Sequence, residues 1–150
     1  MLRRAREFVG YQLRQGATPE GLALTCAMGF LIALFPVLGA TTVLCLGAGY
    51  LMKLNQPTLQ AVNYVLAPVQ LLMIPVYIKA GAWVFQVPAV SVNPKTIIAE
   101  FMDDPGKFLS DYGFASLQSI VAWALLTPLV AFVVYRVLLM IFRSAKRIRG

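Results

Sequence analysis

Long uncharged apolar runs alternate along this chain with short polar or charged connectors. The first run, from Gly21 to Met52, is interrupted near its middle by Pro36-Val37-Leu38-Gly39. About 20 apolar residues cross a bilayer as a helix. The run is therefore too long for one straight span and too short for two. Proline removes a backbone donor and clashes with the preceding turn, and glycine permits the turn that follows. The pattern predicts two half-helices, 21–35 and 41–53, meeting at a break marked by Pro36 and Gly39. A re-entrant hairpin and a single broken, tilted span both fit that pattern.

The second run lies between Lys53 and Lys79 and is less apolar. It predicts a membrane helix over 57–85, kinked at Pro68 and Pro75. Gln60, Asn63 and Gln70 fall close to one face of it, and a polar stripe in a membrane helix must face protein or water. Lys53, Lys79 and Trp83 read as interfacial anchors. Residues 86–111 form an external loop with short interfacial helices, one opening at Asn93-Pro94 and a second at Asp104-Pro105. The third run, 112–136, is the cleanest span: it is uncharged between Tyr112 and Tyr135, carries Trp123, and has a mild kink at Thr127-Pro128.

Ahead of the first run, Arg3, Arg4, Arg6 and Arg14 alternate with Leu2, Phe8, Val9 and Leu13 at helical spacing. This predicts a basic amphipathic helix over 1–15 lying on the membrane surface. Gly16-Ala17-Thr18-Pro19-Glu20 then restarts the chain, with Thr18 as N-cap and Pro19 in the first turn. Residues 137–150 form a basic tail.

Composition agrees with the pattern. Hydrophobic residues make up 59% and charged residues 13%, and the charges are segregated. The fold class is therefore all-α: a polytopic integral membrane protein, one domain over 1–150, with a Pro/Gly-broken, re-entrant-like helix pair, two further membrane-spanning helices and short interfacial helices. A membrane β-barrel does not fit, because the runs are not short alternating strands. The net charge of +7 sits mostly at the two ends beside membrane segments. It reads as a cytoplasmic positive-inside signal, not as a nucleic-acid surface. The 86–111 loop sets Lys95 and Lys107 against Glu100, Asp103, Asp104 and Asp111, a net of −2, and belongs outside. Both termini and Lys53 then lie inside if 21–52 enters and leaves on the cytoplasmic face, 57–85 crosses outward and 112–136 returns.

Chemistry is sparse. The chain has no histidine, and its two cysteines, Cys26 and Cys45, read as small packing residues. No metal or cofactor motif is present, and no base stands beside a nucleophile in the apolar runs, so no catalytic residue is assigned and the expectation is a non-enzyme.

Several short motifs in order resemble a known family. They are Gly16-Ala17-Thr18-Pro19, Gly29 with Pro36-Val37-Leu38-Gly39, Leu54-Asn55-Gln56-Pro57, and Asn63 followed by Ala67-Pro68, Pro75-Val76-Tyr77 and Gly81. The resemblance is to the uncharacterised bacterial membrane family known as domain of unknown function twenty sixty-two, and covers about residues 10 to 140. This sequence departs from it in having Ala67-Pro68 where the family pattern has Asn-Pro. The resemblance implies a small multi-pass protein of the bacterial inner membrane. It implies no activity. Some relatives carry glycosyltransferase-like domains, which points toward cell-envelope metabolism.

The residues themselves suggest one candidate site. If the break lies inside the bilayer, Thr41 and Thr42 open a half-helix whose first amides carry the positive end of the dipole. Transporters hold substrates at such broken helices. Asn63 and Gln70 would line the opposing wall, and an anionic lipid headgroup of polyprenyl-phosphate type or a small anion would fit. The other expectation is a non-transporting membrane adaptor or assembly factor, with Thr41 and Thr42 only capping a hairpin tip. Membrane lipids are the expected partners, with a homo-oligomer or an envelope protein as further ones.

Overall fold

A computed structural model describes residues 18–149, and the surface helix expected over 1–15 lies outside the described residues. Among the described residues the secondary structure is entirely helical: α1 (Pro19–Ala33), α2 (Ala40–Leu51), α3 (Gln56–Val65), α4 (Ala67–Val84), α5 (Pro94–Asp103) and α6 (Pro105–Arg149). The local chemistry explains where they begin. Thr18 Oγ1 accepts from the Gly21 amide at 3.1 Å, with Pro19 in the first turn. Asn55 caps α3 by accepting from Thr58, and Asn93 caps α5 by accepting from Lys95. Asp104 accepts from the Lys107 amide at 3.0 Å and opens α6. These polar side chains satisfy amides that a helix start leaves open.

Two helix ends share a second device. Lys53 follows α2 with φ +54°, and the Leu54 amide reaches back to the Gly49 carbonyl. Gln86 follows α4 with φ +56°, and the Val87 amide reaches back to Ala82. Both are left-handed C-terminal caps in which a side chain occupies the place usually held by glycine.

The structure corrects the sequence reading in two places. The helix expected over 57–85 is two helices, α3 and α4, which part at Leu66. Pro68 has no amide to continue the ladder from α3, so it ends that helix. It then sits in the first turn of α4, where the missing donor costs nothing. Pro75 does lie inside α4, as expected. The second correction concerns 105–149. The short helix at Pro105, the 112–136 span and the basic tail form one helix of 45 residues. The changes of polarity at Asp111 and Arg136 alter the surroundings of the backbone without breaking it. Pro128 also lies within this helix.

Length separates the helices into two groups. α4 and the 105–145 part of α6 are long and apolar enough to cross a membrane. α1 and α2 are apolar but have only 15 and 12 residues. At 1.5 Å per residue α6 is about 68 Å long, against about 30 Å for a bilayer's hydrocarbon core.

α6 is the element against which the others are arranged. α4 runs antiparallel to it. Tyr77 Oη and Thr127 Oγ1 are 2.9 Å apart, the Phe85 and Phe114 rings meet edge to face, and Gly81 lies against the Gln118 backbone. α1 is also antiparallel to α6. Glu20 meets Arg143 at one end, and Trp123 reaches the Leu31 carbonyl at the other. α3 packs on α1 at Gly29, where an added Cβ would stand 2.9 Å from Val62. Small residues dominate the buried positions, among them Ala23, Ala27, Ala115 and Ala122, while Leu72, Leu125 and Leu129 are exposed. Cys45 is fully buried in a cluster with Ile32, Leu54 and Leu59, and both cysteines are free thiols.

Candidate functional site

The break between α1 and α2 is the chemically distinctive point of the fold. α1 ends at Ala33, and the Phe35 amide turns back to Ile32 O at 2.9 Å. Pro36 is buried, Leu38 and Gly39 are exposed, and α2 starts at Ala40. Gly39 is the N-cap, with φ +82°, a conformation that glycine adopts without strain. It brings no side chain to the first amides of α2.

The two sides of the break are treated differently. On the α1 side, carbonyls that the helix end leaves open receive side-chain donors from distant elements. Gln70 Nε2 on α4 donates to Phe35 O at 2.8 Å, and Trp123 Nε1 on α6 donates to Leu31 O at 3.1 Å. The Trp123 ring also meets Phe35 edge-on, with centroids 5.1 Å apart and planes at 88°. On the α2 side, the first turn offers amides and the hydroxyls of Thr41 and Thr42. Thr41 is buried, and Thr42 is half-buried with its carbonyl accepting from Gln60 Nε2 at 3.3 Å.

The four expected site residues therefore divide. Thr41 and Thr42 do open α2. Gln70 is brought to the break, but its amide is engaged on the α1 carbonyl and not on the amides of α2. Asn63 is 4% exposed, and its Oδ1 has no hydrogen-bond partner. Gln60 Oε1 is buried and unpartnered as well. Of the break residues, Pro36 and Gly39 sit at the turn, Pro68 in the first turn of α4 and Pro75 in its interior. The expected anchors Lys53, Lys79 and Trp83 are all exposed. Trp123 is the site residue that sequence reasoning missed. Its signal was an indole N–H in an apolar run, a donor that must find an acceptor when buried.

A concavity of about 320 Å³ lies elsewhere, among the loop residues 89–91 and the α5–α6 junction, lined by Glu100, Asp103, Asp104, Lys107 and Asp111. Asp104 there is occupied in capping α6. Among the described residues no group of three or more His, Cys, Asp or Glu is placed to hold a metal ion.

Among the described residues, an all-helical fold with two helices long and apolar enough to cross a membrane, and a pair of shorter apolar helices broken at Pro36–Gly39, defines the class. Within it, the chain belongs to the family described as an uncharacterized protein conserved in bacteria (DUF2062), which matches residues 2–149. No curated protein and no solved structure matches the chain.

Proposed function

We propose that this is a multi-pass protein of the bacterial inner membrane that moves an anionic lipid or small anion at the broken-helix site. In this reading α1 and α2 form a re-entrant pair opening on the cytoplasmic face, α4 crosses outward and α6 crosses back. Both termini are cytoplasmic. The observation that carries the reading is the contact of Trp123 with Leu31 and Phe35. Trp123 lies halfway along the uncharged stretch from Tyr112 to Tyr135, which supports a break at mid-bilayer depth. Glu20, at the other end of α1, meets Arg143 beyond that stretch. Small residues inside and large apolar residues outside also suit a surface that faces lipid.

Half-helices ending at that depth place the positive end of a dipole where substrates of broken-helix transporters bind. With no histidine and no acid in the apolar runs, the role is transport without catalysis. The test is a flipping assay in reconstituted vesicles with the wild type and a Thr41→Val/Thr42→Val pair. The protein is expected to accelerate movement of an anionic lipid, and the double variant to slow it. Equal movement with and without protein overturns the proposal.

The continuous α6 favours one other reading. It carries Arg136 and Arg143 past the apolar stretch on a rigid rod, as a non-transporting envelope adaptor would. A stoichiometric partner in mild detergent, together with no intrinsic transport, would select that reading.

A further inference from the structure

We propose that the start of α2 is built for a singly charged phosphate that still carries a P–OH, its charged oxygens meeting the α2 amides and its hydroxyl meeting Asn63. This rests on the anion reading above and narrows it.

The donors are the first amides of α2, which have no partner within the helix and no capping side chain from Gly39. They attract an anion. The acceptor is Asn63 Oδ1, unpartnered on a residue only 4% exposed. Its placement follows from register. Gln56, Gln60 and Asn63 recur at helical spacing on one face of α3, which runs antiparallel to α2. Gln56 Nε2 donates to Leu46 O at 3.0 Å and Gln60 Nε2 to Thr42 O at 3.3 Å. One further step of the same stripe sets Asn63 beside the beginning of α2. Gln60 Oε1, on the amide already bonded to Thr42 O, adds a second unpartnered acceptor to that stripe.

An occupant must therefore accept from the amides and donate to the carboxamide oxygen. A fully ionised phosphate has no proton to donate and would turn a charged oxygen toward Asn63 Oδ1. A phosphodiester without hydroxyls has the same defect. A second negative charge would also lack a counter-ion. α2 and α3 carry no charged residue, α1 carries only Glu20, at its far end, and α4 only Lys79.

The full chain in phosphatidylcholine nanodiscs tests this at about pH 6, where about half of a phosphate monoester keeps its P–OH. One arm adds phosphatidic acid, one adds phosphatidylmethanol (a diester with no donor), and one titrates inorganic phosphate. Lipid retention is read by native mass spectrometry and phosphate binding by tryptophan fluorescence. Phosphatidic acid is expected to be preferred over phosphatidylmethanol by about tenfold, the scale of one hydrogen bond to a charged group. Asn63→Leu is expected to bring the two near parity while both still outcompete phosphatidylcholine. That variant removes an unpartnered polar group, a change that is nearly neutral for folding.

Parity of the two anionic lipids in the wild type while both outcompete phosphatidylcholine, or a preference unchanged in Asn63→Leu, overturns the inference and leaves the anion reading standing. No preference for either anionic lipid and no response to phosphate overturns both, the buried acceptor then holding only a water. Response to inorganic phosphate that Asn63→Leu weakens, without lipid preference, upholds the chemistry and assigns the site to the free ion.

Discussion

Gln70 on α4 donates its side-chain amide to the carbonyl of Phe35, 2.8 Å away and thirty-five positions earlier in the chain. The bond replaces the helix turn that α1 lacks. Gln70→Leu leaves that carbonyl without a donor in a partly buried setting, at a cost of about 1 kcal/mol or somewhat more. Thermal unfolding in mild detergent should show the loss as a lower midpoint. An unchanged midpoint would mean that another donor serves Phe35.

Trp123→Phe separates two contributions at the same place. It keeps an aromatic edge against Phe35 and removes only the donor to Leu31 O. The expected cost is about 1 kcal/mol, and Trp123→Ala should cost at least about 3 kcal/mol because the packing goes too. Equal midpoints for the two variants would contradict this division.

Gly81→Ala should be a damaging single methyl, because the group it meets is backbone. The added Cβ would stand 2.6 Å from the Gln118 carbonyl oxygen. That neighbour is backbone, so no rotamer change relieves the clash and α4 must move off α6. Overpacking of this kind typically costs about 1–3 kcal/mol. Gly113→Ala has open space around it and is the control, expected to match the wild type or exceed it slightly.

Lys53 holds a left-handed conformation that costs a side-chain-bearing residue about 1–2 kcal/mol. Lys53→Gly should raise the unfolding midpoint, and Lys53→Val should lower it. The same pair of substitutions reports on the cap formed by the Leu54 amide and the Gly49 carbonyl.

The Glu20–Arg143 pair marks geometry more than it supplies stability. Its closest atoms are 2.8 Å apart, yet the two side chains are 49% and 61% exposed. Arg143→Ala is expected to change stability by less than about 1 kcal/mol. A larger loss in urea or thermal denaturation would show that the pair is more shielded than its exposure indicates.

What could be read from sequence was whatever depends on neighbours in the chain. Thr18-Pro19 and Asn93-Pro94 announce helix starts, and Pro36 with Gly39 announces the break. Leu66 carried no such mark: the end of α3 follows from the amide Pro68 lacks, and a proline after apolar residues reads equally well as a kink. The continuity of α6 was hidden because its polarity changes twice while its backbone does not. The engagement of Gln70 was also out of reach. Its amide could serve a ligand or a carbonyl, and only the fold brings Phe35 beside it. Asn63 was legible as a polar residue needing company, but not as one left without it.

The capping of α1 also sets an order of events. Ribosomes release Leu31 and Phe35 long before the side chains that will serve them. Gln70 follows Phe35 by thirty-five residues, and Trp123 follows Leu31 by ninety-two. During synthesis the first apolar pair therefore has two exposed carbonyls and no native donor for either. It must wait near water, or beside a helper, until most of the chain has emerged. Native capping of α1 is thus completed only late in synthesis, and a truncated product ending before Trp123 would leave the Leu31 carbonyl without its donor.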